Sequence, residues 1–76
     1  MPSKKSAANR KLARAIRSRR EQRGYTQESA ARHIGIDRSY YGAIERGEFN
    51  VTLDTLVKIG DGLGASVAEL CGRADV

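Results

Sequence analysis

The stretch TQESAARHIGIDRSYYGAIERG, from Thr26 to Gly47, reads as two short helices joined by a tight turn. Thr26 and Asp37 are each placed to cap a helix N-terminus, because their short side chains can accept from backbone N–H groups that a helix leaves unpaired. Ile34-Gly35-Ile36 separates the two helices, with glycine where a left-handed backbone costs least. Ala30, Ala31 and Ile34 give the first helix a small packing face, and Tyr41 and Ile44, three apart, turn inward from the second. Ile36 before the cap and Tyr41 four residues into the helix have the spacing of a hydrophobic staple. Two helices of this length around one glycine turn have the grammar of a helix-turn-helix.

On the N-terminal side, Asn9 to Arg23 reads as a longer helix, with Leu12 and Ile16 on one face, Ala13 and Ala15 as small packing residues, and Gly24 as its left-handed stop. On the C-terminal side Gly47 ends the motif and Glu48 to Val51 form a loop. Thr52 then caps a fourth helix, in which Leu53, Leu56, Ile59 and Leu63 recur at helical spacing, with Val51 and Leu56 as a second staple pair. Gly60 and Gly62 inside it each cost roughly 1 kcal/mol against alanine, and signal either close backbone packing or a weak helix end. Gly64 stops this helix, and Ser66 caps a short fifth one from Val67 to about Leu70. There is no strand pattern, repeat or low-complexity tract. The expectation is an all-α, compact five-helix domain over residues 9–70, with a basic arm over 1–8 and a C-terminal tail over 71–76.

The chain of 76 residues has room for one small domain. A domain of about this size buries only roughly 60% of its unfolded surface, so pairing with a second copy would add burial. Cys71 is the single cysteine and His33 the single histidine, which gives neither an internal disulfide nor a zinc constellation. One cysteine suits a reducing compartment. No apolar run of signal-peptide length follows the basic start, and nothing approaches the ~18 apolar residues of a membrane span. A cytoplasmic protein without membrane contact is expected. No glycine-rich phosphate loop, nucleophile with a base, or metal cluster is present, so the sequence points to neither an enzyme nor a cofactor.

Net charge is +5 and unevenly spread. Residues 1–23 carry nine basic side chains against Glu21 alone, a net of +8, whereas residues 24–76 carry five basic against eight acidic, a net of −3. A basic front on a weakly acidic body suits a polyanionic partner; a solvated helix face with a basic tail is the alternative reading. The second helix of the motif opens Arg38-Ser39-Tyr40, and it is from the N-terminal turn of such a helix that side chains reach base edges in a major groove.

From Leu12 to Leu70 the chain resembles the Cro and lambda-repressor-like helix-turn-helix family, also called the XRE family. The residues that carry the resemblance are Leu12, Ile16 and Arg20; Gly24-Tyr25-Thr26-Gln27-Glu28 and Ala31; Gly35-Ile36-Asp37-Arg38-Ser39-Tyr40; Ile44-Glu45-Arg46-Gly47; Thr52-Leu53-Asp54-Thr55-Leu56; and Leu63-Gly64. Asp37-Arg38-Ser39-Tyr40, with Glu45-Arg46 and Phe49-Asn50-Val51-Thr52-Leu53, is most similar to the small controller proteins of restriction-modification systems. The resemblance implies a lambda-repressor-like fold and a homodimer that binds double-stranded DNA at an inverted-repeat operator and regulates its own operon. Four positions depart from the family pattern: Ala30 stands where a larger aliphatic residue is usual, Arg19 for leucine, Val51 for proline and Gly60 for alanine.

Arg38 can pair bidentately with guanine, a contact worth roughly 1–3 kcal/mol of discrimination, or it can hold a phosphate. Ser39 can donate to a base or a phosphate. Tyr40 is expected to face outward toward a phosphate or a thymine methyl. Gly42 and Ala43 are expected on the outward side, with Ala43 against a thymine methyl. Gln27, at a helix N-terminus, is suited to a phosphate. Arg46, Asn50 and Thr52 are further phosphate candidates by resemblance, with Asn50 alternatively capping a loop. Lys4, Lys5 and Arg17 would add salt-dependent affinity. The resemblance assigns Arg20 and Glu45 to a structural ion pair, and Leu63, Val67 and Leu70 are the expected dimer surface. No small-molecule effector site is evident. An antitoxin-like or coactivator-like module, using the same fold to bind protein, is the competing function.

Overall fold

The computed structural model describes residues 7–76. Five α-helices follow in chain order: α1 Ala7–Gln22, α2 Gln27–Ile34, α3 Arg38–Glu45, α4 Leu53–Leu63 and α5 Val67–Ala74. No strand occurs among the described residues. The arrangement is the expected all-α helix-turn-helix domain. Lys4 and Lys5, and most of the expected arm, lie outside the described residues.

The helix starts follow their caps. Thr26 accepts from Ser29 N at 3.0 Å, and the Ser29 hydroxyl accepts in return from Thr26 N, so α2 begins with a reciprocal capping box. Asp37 accepts from Tyr40 N at 3.0 Å, Thr52 from Thr55 N and Ser66 from Glu69 N. Each such cap is worth about 1 kcal/mol. Gly35 closes α2 with φ 89°, a left-handed value that a β-carbon would disfavour.

Two boundaries move from expectation. α1 already includes Ala7 and Ala8, ahead of the expected start at Asn9, and Asn9 is buried, its Nδ2 donating to Gly47 O at 2.9 Å. The first turn of α1 is thereby tied to the end of α3. α5 runs on to Ala74 instead of fraying after Leu70, so Cys71 to Ala74 is helix and not tail. Ala74 is buried where α5 packs along α1, and Asp75 closes the helix in the left-handed region.

One apolar cluster joins the helices. Ile16, Tyr41, Ile44, Ile59, Leu63 and Leu70 are its fully buried large side chains. Ala30 and Ala31 let α2 approach closely, and Ile34, Leu56 and Ala65 complete the cluster. Val51 and Ile36 pack against it from the loops, as their staple positions require. Leu53 departs from expectation: it sits at the first turn of α4, 67% exposed.

The glycines of α4 mark close packing rather than a weak end. A β-carbon on Gly60 would collide with the Ala65 carbonyl oxygen, and one on Gly62 would lie 2.5 Å from Ile34 Cγ1. Arg19, in the place of a common leucine, has its own use. Its Nε donates to Leu63 O at 3.0 Å and its Nη2 to Gly64 O at 2.5 Å, satisfying carbonyls that the end of α4 leaves without intrahelical donors.

Candidate nucleic-acid interface

Both α2 and α3 are eight residues long and pack against each other, with Gln27 at the start of α2 reaching Glu45 at the end of α3. Between them opens a cleft of about 310 Å³ lined by Gln27, Arg38, Ser39, Gly42 and Arg46. Four side chains singled out in the sequence therefore share one site. Arg38 and Ser39 are exposed in the first turn of α3, where backbone N–H groups lack intrahelical partners and the helix end is electropositive. Gly42 forms the floor. A β-carbon there would sit 3.1 Å from Arg46 Nη1 and 3.4 Å from Gln27 Oε1, so its missing side chain is what lets both polar groups lie across α3.

Beneath the cleft is a buried polar network. Arg20 Nε donates to Glu45 Oε2 at 2.7 Å and Arg20 Nη2 to Glu45 Oε1 at 3.1 Å. Arg20 Nη1 also donates to Tyr25 O at 2.8 Å. Gln27 Nε2 donates to Glu45 Oε1 at 3.1 Å, so the side chain at the mouth of the cleft is anchored to the ion pair below. Burial opposes ionisation of Glu45, but the hydrogen bonds from Arg20 and Gln27, with the Tyr41 hydroxyl nearby, outweigh it and hold the carboxyl below its ordinary value. The Tyr41 hydroxyl is itself buried without completing a hydrogen bond, and burial pushes its pKa up.

The remaining candidates divide. Tyr40 is half-buried, packs on the core and meets Phe49 with ring centroids 5.8 Å apart. Arg17 is exposed and pairs with Glu21 one turn away at 3.5 Å, outside the cleft. Asn50 lies in a separate groove with Ala8, Asn9, Leu12, Val51 and Val76. The Thr52 hydroxyl is occupied in capping α4. His33 stacks on Tyr25, ring centroids 5.1 Å apart.

Three expectations are corrected. Ala43 is 5% exposed: the 100° step of the helix carries it from the Arg38-Ser39-Gly42 face to the protein side, and it offers no surface to a base. Leu63 and Leu70 are fully buried within one chain, because α4 and α5 close over the core with those residues innermost. They are not available to a second copy. The apolar side chains that α4 does expose are Leu53 and Val57, at 67% and 42%, four residues apart and so on one face.

Sequence reasoning missed two features of the site. Gly42 passed as a small outward residue, whereas it is the cleft floor. Glu48 was read as loop, yet it grips Arg46: Arg46 Nε donates to Glu48 Oε2 at 2.8 Å and Nη2 to Oε1 at 3.4 Å. The i, i+2 spacing across the Gly47 turn gives no helical-face signal that would have revealed the pair.

Residues 16–70 match the family model described as HTH_3, helix-turn-helix. The chain is 48% identical over 52 residues to the control protein C.MunI of a Mycoplasma species, covering 68% of this chain and 70% of that one. It is 42% identical over 62 residues to the control protein C.SmaI of Serratia marcescens, covering 82% and 74%. The crystal structure of the restriction-modification controller protein C.AhdI from Aeromonas hydrophila superposes with a TM-score of 0.81 at 37% identity, over 86% of this chain and 98% of that one. With the cleft between α2 and α3, these similarities establish that the chain belongs to the HTH_3 (XRE) family of helix-turn-helix, DNA-binding transcriptional regulators.

Proposed function

We propose that the protein binds double-stranded DNA sequence-specifically, as a homodimer on an inverted-repeat operator, and regulates its own operon in the manner of the restriction-modification control proteins it resembles. The observation that carries this reading is the convergence of Gln27, Arg38, Ser39 and Arg46 on one cleft floored by Gly42. Helix α3 enters a major groove with Arg38 and Ser39 toward base edges. The Gln27 side chain, the N-terminus of α2 and Arg46 hold the flanking phosphates. Tyr40, braced by Phe49, meets the groove wall. Arg17, Asn50 and Thr52 stand outside the cleft and serve as outlying backbone contacts, a role proposed also for Lys4 and Lys5 of the basic N-terminal segment. The protein acts by occupancy and not by catalysis, and works in the cytoplasm.

In this reading the dimer surface lies on the exposed face of α4, supported by the exposed apolar side chains of Leu53 and Val57, with the partly buried Val67 added to them. Two copies paired there would present their α3 helices to half-sites about 10 base pairs apart.

Replacement of Arg38 tests the reading. Arg38→Ala is expected to leave the fold intact, to lose roughly 1–3 kcal/mol of discrimination at one base pair per half-site, and to retain most sequence-independent binding. Unchanged base preference in a competition binding assay would remove Arg38 from the recognition surface.

A further inference from the structure

Arg46 ends α3 and turns its side chain back over Gly42. Its guanidinium has two faces engaged differently. The Nε–Nη2 edge is gripped side-on by the Glu48 carboxylate, at 2.8 and 3.4 Å, whereas Nη1 lies over the bare Gly42 backbone at the cleft. Both side chains of the pair are about half exposed, at 56% and 42%. A surface pair of this kind contributes little to folding. A carboxylate at the rim of a cleft for a polyanion also works against simple electrostatic affinity. The grip on Arg46 itself is thus explained neither by the stability of that pair nor by raw attraction to DNA.

We propose that Glu48 is a positioning and specificity-determining residue: it tethers Arg46, offsets its charge toward DNA of arbitrary sequence, and leaves Nη1 set for one phosphate of the correctly docked operator. The proposal rests on the reading of Arg46 as a phosphate contact. Sequence-independent binding depends on mobile positive charge that follows any phosphate, and the tether removes one such charge per protomer. Operator binding gains in return, because a guanidinium already held in place has less freedom to lose on docking. Glu48 thus widens the ratio of specific to non-specific affinity, which is the quantity that matters among many competing sites. Gly42 is part of the device, since even a β-carbon there would crowd Arg46 Nη1 at 3.1 Å.

The test compares wild type, Glu48→Gln, Arg46→Gln and the double variant. Each is titrated with a mixed-sequence duplex of about 24 base pairs and with the duplex enriched by selection, across a salt series. Glu48→Gln is expected to bind the mixed duplex about five-fold more tightly at low salt, with a log–log salt slope steeper by about 0.9 per protomer, and to narrow the operator-to-mixed ratio. In the Arg46→Gln background the same change is expected to have no effect. Glu48→Gln without effect, while Arg46→Gln flattens the salt slope, overturns the role of Glu48 alone. Arg46→Gln with an unchanged slope overturns the reading of Arg46 as well. A gain from Glu48→Gln that persists undiminished without Arg46 identifies simple repulsion by the carboxylate and overturns the tether. Thermal melts of all four proteins register any folding defect independently.

Discussion

Arg20 and Glu45 form a two-bond ion pair that locks α1 to α3, with side chains only 10% and 1% exposed. The fork of the guanidinium matches the carboxylate edge, which fixes the angle between the helices as well as their distance. Removing one partner strands a buried charge, at a cost of about 3–5 kcal/mol. Glu45→Gln is accordingly expected to lower the unfolding free energy by about 3 kcal/mol in urea denaturation. A loss below about 1 kcal/mol would mean that the pair sits in a far wetter environment than its exposure indicates.

The same pair sets the acid sensitivity of the fold. The folded Glu45 carboxyl titrates below its ordinary 4.5, so the unfolded chain binds its proton first as pH falls. The contribution is then fully present above about pH 4.5 and is lost as pH drops through the folded value. Urea midpoints are expected to change little from pH 7 to 5 and to fall below 4.5, with the fall reduced in Glu45→Gln. An equally steep fall in that variant would shift responsibility to other carboxylates, such as the exposed Glu69 held low by the Ser66 backbone N–H.

Glycines within helices separate into two kinds. Gly60 faces the Ala65 carbonyl, whereas Gly72 in α5 faces open space. Gly60→Ala is expected to destabilise by about 1–3 kcal/mol through overpacking against backbone. Gly72→Ala is expected to stabilise by up to about 1 kcal/mol, as helix propensity alone dictates. Paired denaturation curves of the two variants check both signs at once.

Leu53 and Leu70 separate assembly from folding. Leu53→Asp, on the exposed face of α4, is expected to keep the helical circular dichroism spectrum and yield a monomer in sedimentation velocity. Leu70→Asp, which buries a charge in the core, is expected to unfold the chain. A dimer that survives Leu53→Asp together with Val57→Asp would place the self-association surface elsewhere.

The fold was legible because its punctuation is local. Thr26, Asp37, Thr52 and Ser66 cap the helices that follow them, and Gly35 and Gly64 close helices in the left-handed region. Those signals need only a few neighbouring residues. The orientation of side chains around the short helices was harder to read. Ala43 and Gly42 are adjacent and similarly small, so composition could not say which faces the cleft and which the core. Leu53 fits the apolar spacing of α4, but it lies on the outward face that it shares with Val57. Leu63 and Leu70 are apolar wherever they point, and only the closure of α4 and α5 over the core shows that the monomer uses them itself. The Arg46–Glu48 pair depends on a chain reversal at Gly47, which spacing along a helix cannot register.

Sequence-specific operator binding is most directly tested by selection of duplex fragments, from a random pool or the source genome, with the purified protein at about physiological salt. Enrichment of an inverted repeat with half-sites roughly one helical turn apart is the expected result, and would locate the operator. Recovery of duplex DNA without any enriched sequence would contradict the account, and would reduce the Arg38–Ser39 cleft to a general phosphate-binding surface.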